Sequence, residues 1–256
     1  MAFSLDPEIE QVLGPVFALM REAPRPASGD VAARRSVFDA GPDLLDRGRP
    51  FPAEVAPEYP GAIPVEDCYA GLRWLADHAE RLGVDPKRLA VMGDSGGGGL
   101  AAGLAILARD RGISLARQIL IYPMLDDRNV TPDPELEPTA MWTYADNVTA
   151  WDAVLGEERG ADSVSASIAA ARIADAAGLP PAYLEVGELD IFRDECLAYA
   201  QLLLQAGVST EFHLHRGSPM AATSGDLTSA RLCAHGRTGS ACSGSCESDD
   251  FPCKHE

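Results

Sequence analysis

Ser95 is the residue of this chain whose setting most favours chemistry. It stands in Leu89-Ala-Val-Met-Gly93-Asp94-Ser95-Gly96-Gly97, where a short apolar run meets Gly-x-Ser-x-Gly and an Ala/Leu-rich segment follows. That order reads as strand, sharp turn and helix, with the serine at the apex. Such a turn forces the serine backbone into a strained conformation, and flanking glycines keep Cβ atoms out of the way. The hydroxyl then rises above the strand ends, before a helix N-terminus that favours developing negative charge. A glycine-rich turn that merely packs closely or cradles a phosphate uses the same residue types, so the motif counts only in its strand–turn–helix setting.

A serine nucleophile needs a base in hydrogen-bond reach, an acid to orient that base, and donors for an oxyanion. The acid candidate is Asp190, in Gly187-Glu188-Leu189-Asp190 after the apolar run Ala182 to Val186. The competing role for Asp190 or Asp194 is capping of the helix that follows, and capping fully suffices for Asp194. No base is evident. His213 and His215 alternate along the last strand, before the loop where a base would have to stand, and His78 falls within a helix. Cys233, His235, Cys242, Cys246, Cys253 and His255 superficially resemble a metal cluster. Cys-x3-Cys is loose for zinc and no turn chemistry supports a closed site, so we expect no metal and no cofactor.

The elements that position these residues follow from periodicity. Leu5 to Met20 has near-helical apolar spacing after Asp6-Pro7, whereas 23–62 is rich in proline and holds no convincing strand. Ile63-Pro64 opens a helix with Val65, Tyr69, Leu72, Leu75, Ala79 and Leu82 on one face and Gly83 at its end. A helix from Ser95 to about Arg109, a buried strand over Gln118 to Tyr122, a strand over Ala182 to Val186, a helix over Asp194 to Ala206 and a strand over Thr210 to His215 complete a β–α alternation. Strands separated by helices predict a parallel sheet. Residues 126–175, helical around Trp142 to Leu155 and Ile168 to Ala176, interrupt it as an inserted lid would. We expect four regions: N-terminal lid helices over 1–40, a linker over 41–56, a core over 57–216 and a disordered tail over 217–256.

Several segments together carry a family resemblance: Pro57-Glu58-Tyr-Pro60, Val65-Glu66-Asp67 through Trp74-Leu75, Gly93-Asp94-Ser95-Gly96-Gly97, Ile121-Tyr122-Pro123, Leu179-Pro180-Pro181 and Gly187-Glu188-Leu189-Asp190. The chain resembles the hormone-sensitive-lipase-type esterases, bacterial fold-3 α/β hydrolases that cleave short-chain carboxylic esters. The resemblance implies an α/β fold, here a truncated, mostly parallel sheet flanked by helices with a partial helical lid. It also implies Ser95 as nucleophile, Asp190 as acid and the Gly96 N–H as one oxyanion donor.

The chain departs from that family twice. The family's upstream His-Gly-Gly-Gly loop, which completes the oxyanion hole, is missing, as are its first strands; 41–55 stand in for them like the scar of a deletion. The family's Pro-Gly-x-Pro-His pattern, which carries the catalytic histidine, is here Arg216-Gly217-Ser218-Pro219 followed by Met220. Beyond it the composition turns to Gly, Ser, Thr and Cys without periodicity, as an out-of-frame stretch would. We therefore expect a serine carboxylesterase by lineage, impaired or inactive in this chain. The alternatives are a non-catalytic hydrolase-like binding protein or an unstable fragment, and a peptidase or thioesterase with the same elbow stays open.

Composition bounds the partners. Apolar residues make up 46% of the 256, enough for a sizeable core. A net charge of −18 disfavours nucleic acid and anionic membrane surfaces. No apolar run approaches a membrane span, and the acidic N-terminus does not read as a secretory signal, so the expected location is cytoplasmic. A small-molecule ester is the expected partner, and a homodimer stays open.

Overall fold

The structure is a computed structural model, and it describes Pro7, Glu10, Ala27, Gly29, Asp30 and residues 60–219. The expected N-terminal helix, the 41–56 linker and the tail beyond Pro219 lie outside the described residues, apart from those few positions. Four parallel strands form one sheet in sequence order: β1 (Ala90–Asp94), β2 (Arg117–Ile121), β3 (Ala182–Gly187) and β4 (Thr210–His215). The helices are α1 (Ile63–Asp77), α2 (Ala79–Leu82), α3 (Ser95–Asp110), α4 (Tyr144–Leu155) and α5 (Arg193–Gln205). Helix α3 packs on β1 and β2, α1 packs on α3, and α5 packs on β3 and β4.

Register explains which side chains make the core. The row Gly93–Leu120–Leu184–Phe212 includes Leu120 and Leu184, both fully buried. The neighbouring row Met92–Ile119–Tyr183–Glu211 belongs to the other face and begins with Met92, which is 70% exposed. Successive side chains in a strand alternate faces, so one step in sequence separates core from surface.

Two sequence expectations are corrected. The helix from Ile63 does not run unbroken to Leu82: it stops at Asp77, and the His78 Nδ1–H donates to the Trp74 carbonyl at 2.8 Å before a second short turn begins. Gly83 then ends that turn at φ 68, as its position predicted. Ile168 to Ala176 is not a helix beyond the single 3-10 turn Ala170–Arg172. Tertiary contacts hold that stretch instead. Asp127 is buried against the Arg172 guanidinium at 2.5 and 2.8 Å and accepts the Gly160 N–H at 2.7 Å. Burial alone would push the Asp127 carboxyl up, but these partners outweigh it and hold it below the usual carboxylate range.

Helix α3 begins against the sheet with no room to spare. A Cβ on Gly98 would lie 2.8 Å from Pro123 Cβ and 2.9 Å from Pro123 Cα, whereas one on Gly97 would meet nothing nearer than Asp94 Oδ1 at 3.8 Å. Gly98→Ala is therefore expected to cost roughly 1–3 kcal/mol by overpacking. Gly97→Ala should be neutral or stabilising by up to ~1 kcal/mol through helix propensity. Paired thermal melts of the two variants check this ordering.

Candidate active site

Ser95 follows β1 directly and is the first residue of α3. Its φ is +51, in the left-handed region that non-glycine residues avoid. The strain is held from two sides. A Cβ on Gly93 would collide with the Gly97 carbonyl, so the incoming strand and the outgoing helix touch backbone to backbone. The Met124 N–H, arriving from the loop after β2, donates to the Ser95 carbonyl at 3.0 Å. Gly96 and Gly97 are exposed at the first turn of α3, with N–H groups free of the intrahelical ladder.

Tyr122 is the other non-glycine residue with positive φ among the described residues, at +34, one position before Pro123. Sequence reading saw only the proline ending a strand here and gave no hint of the strain. Its N–H donates to the Glu185 carbonyl at 2.6 Å, and its hydroxyl reaches Asp94 Oδ2 at 3.4 Å.

Asp190 lies in the turn that leaves β3 at the same carboxyl edge of the sheet. The turn is built tightly against the end of β4. The Glu188 N–H donates to the His215 carbonyl at 2.9 Å, the Leu189 N–H to the Ser218 carbonyl at 3.0 Å, and the Gly217 N–H to Glu188 Oε2 at 2.7 Å. Asp190 Oδ1 accepts the Phe192 N–H at 2.9 Å, while Oδ2 is buried without a hydrogen-bond partner among the described residues. Burial pushes this carboxyl up to about 7, and the single Phe192 N–H only partly opposes it. Asp194 does not cap α5. The N-cap position is Phe192, no side chain caps it, and Asp194 pairs with Arg193 at 2.7 Å.

No described histidine reaches Asp190. His213 Nε2 contacts Glu211 Oε1 at 2.9 Å, His215 Nε2 lies 3.5 Å from Glu185 Oε2, and the His78 ring stacks on Trp74. Among the described residues, no group of three or more His, Cys, Asp or Glu is arranged to hold a metal ion. Met220, where the sequence comparison placed the missing base, lies outside the described residues.

A profile of the alpha/beta hydrolase fold family matches residues 54–223. The chain belongs to that family. Its relatives place it among the hormone-sensitive-lipase-type esterases. Carboxylesterase NlhH of Mycobacterium tuberculosis is 39% identical over 162 residues, covering 61% of this chain and 50% of the relative. Esterase LipI of the same species is 37% identical over 163 residues. Among solved structures, a bacterial heroin esterase superposes with a TM-score of 0.62 at 40% identity, over 70% of this chain and 59% of that one. Esterase LipW from Mycobacterium marinum superposes with a TM-score of 0.62 at 38% identity. The chain spans about half the length of the curated relatives it matches.

The buried carboxyl at Asp190 links the site to stability. Its proton affinity is higher in the fold, at about 7 against an ordinary 3.8, so its contribution is complete below about pH 4 and lost as pH rises through about 7. Asp190→Asn keeps an acceptor for Phe192 N–H and removes the charge. It is expected to raise Tm near pH 8 and to change it far less near pH 5; equal shifts in the two melts would contradict the assignment.

Proposed function

We propose that this chain derives from a carboxylic-ester hydrolase, with Ser95 as nucleophile, Asp190 as acid and the Gly96 N–H as one oxyanion donor, and that the chain itself is nearly inert. In the reaction, Ser95 Oγ would add to the ester carbonyl while its proton passes to a base. The oxyanion formed would be held at the N-terminus of α3, and its collapse would expel the alcohol and leave an acyl-enzyme for water to cleave. The observation that carries the nucleophile assignment is the positive φ of Ser95 at the strand–helix junction. The relatives' names, carboxylesterase and esterase, support the substrate class. The excursion between β2 and β3, pinned by Asp127 and Arg172, would serve as the lid over the site.

Inertness follows from the absence of a histidine in reach of Asp190 among the described residues and of one at position 220. Without one the hydroxyl stays protonated at neutral pH, and loss of a triad member costs roughly four to six powers of ten. An incomplete oxyanion hole costs roughly a further hundredfold or more. The Oδ2 of Asp190, without a hydrogen-bond partner among the described residues, favours a second reading, a hydrolase-like protein that binds an ester without turning it over.

Position 220 is where the base belongs. The carbonyl carbon of Pro219 lies 3.2 Å from where a Cβ on Gly187 would stand, so the chain enters residue 220 from beside the turn that carries Asp190. The genetic code points to the same place. Pro219-Met220-Ala221 is encoded CCN-ATG-GCN, and the frame set back by one nucleotide reads NAT-GGC, which is His-Gly when the proline codon ends in C. A different base there, with no histidine in either alternative frame, would end the out-of-frame explanation.

A fluorophosphonate probe tests the chemistry. Labelling of the unaltered chain should match that of Ser95→Ala, and Met220→His should label at least about tenfold faster, at Ser95. A Met220→His chain that unfolds cooperatively and still escapes labelling would refute the assignment. Turnover of nitrophenyl acetate and butyrate should follow the same order.

A further inference from the structure

The loop after β2 and the first turn of α5 meet at one buried carboxylate. Glu195 is 7% exposed, and both of its oxygens are engaged. Oε1 accepts the Leu125 N–H at 2.6 Å and the Asp126 N–H at 3.4 Å, and Oε2 accepts from Asn129 Nδ2 at 2.8 Å. The same Asn129 amide donates to the Ile191 carbonyl at 2.9 Å, and the Asn129 carbonyl accepts from Asn147 Nδ2 on α4 at 2.7 Å. Two of these contacts lie beside the site. Leu125 follows Met124, whose N–H holds the Ser95 carbonyl, and Ile191 follows Asp190.

Burying a carboxylate is costly unless its lone pairs are used, and this one, on α5, takes all three of its donors from the loop after β2, at Leu125, Asp126 and Asn129. That loop holds the serine turn through the Met124 N–H, and its Asn129 reaches the acid turn at Ile191 and the helix of the β2–β3 excursion at Asn147. A buried carboxylate on α5 with its N–H partners on the loop after β2 fixes the relative register of those two segments more stiffly than apolar packing, because hydrogen bonds are directional.

We propose that Glu195 is a positioning residue that holds the Ser95 turn and the Asp190 turn in one register, with Asn129 as its relay; as a statement about catalysis this rests on the hydrolase reading above. Two features separate it from an ordinary core contact. It touches neither Ser95 nor Asp190 directly, and it reaches both through single backbone steps. Glu195→Gln also predicts an asymmetric effect: the amide keeps an acceptor for the Leu125 N–H, but its NH2 then faces the NH2 of Asn129 and breaks the tie to Ile191.

Amide hydrogen exchange on the full chain tests the coupling without needing activity. In Glu195→Ala, the Met124, Leu125 and Phe192 amides should exchange at least about tenfold faster, while Leu184 and Val186 in β3 keep their protection. Glu195→Gln should speed Phe192 and spare Leu125, a result that remains readable if the alanine variant fails to fold. Unchanged exchange at Met124 and Phe192 in folded Glu195→Ala, or a uniform loss that includes β3, would overturn the inference. In the Met220→His background, Glu195→Ala should lower the maximal labelling rate by about tenfold or more with half-saturation unchanged, and Glu195→Gln should lie between. If Met220→His does not label at all, the hydrolase reading fails, and the exchange pattern still decides whether Glu195 couples the two turns.

Discussion

A serine at φ +51 is held in a conformation that costs roughly 1–3 kcal/mol, and the carboxyl edge of the sheet is organised around keeping it there. The backbone contact of Gly93 with Gly97 bends the chain from β1 straight into α3, and Gly98 against Pro123 brings that helix down onto the next strand's exit. Met124 then closes the turn by donating to the Ser95 carbonyl. The strain is thus balanced by contacts from two consecutive β–α connections. Neither connection alone supplies them.

The second organising feature is the burial of two carboxyl groups in the turn and first helical turn after β3. Burial pushes Asp190 to about 7 and Glu195 to about 8. The two differ in how they are used. Glu195 has donors on both oxygens, whereas Asp190 has one N–H and one unused oxygen. A saturated carboxylate joins segments, whereas Asp190 keeps an oxygen without a hydrogen-bond partner among the described residues. In a complete site an imidazolium beside Asp190 would lower its proton affinity and repay its burial. Here only the Phe192 N–H opposes the cost of desolvation, so this buried carboxyl makes the fold more sensitive to alkaline pH.

Much of this was legible in the chain. Glycine, proline and apolar period gave the strands and helices of the core, because a buried parallel strand must be a continuous apolar run and a helix must end where glycine or proline stops it. Where the reading failed, the cause was tertiary. Ile168 to Ala176 has helical spacing, yet Arg172 is drawn to a buried Asp127 far away in sequence, and the backbone follows that ion pair. Asp194 has the right residue type for a cap, but the N-cap falls two residues earlier, at Phe192, and Arg193 takes its carboxylate. Glu195 and Asn129 gave no signal, since a carboxylate and an amide in a loop and a helix look solvent-exposed until both are buried together.

The sequence by itself determined the strand–turn–helix junction at Ser95 and the β–α alternation of a parallel sheet, because each depends on local backbone geometry or on residues adjacent in the chain; the candidate roles of Ser95, Asp190 and Gly96 came from the family resemblance. Only the tertiary structure decided that Gly98 rather than Gly97 is the close contact, that Asp190 is buried with one oxygen unpartnered, and that Glu195 ties the two turns together. Those facts depend on segments tens of residues apart arriving at the same place, and the free energies of burial and hydrogen bonding that fix them exist only once they have arrived.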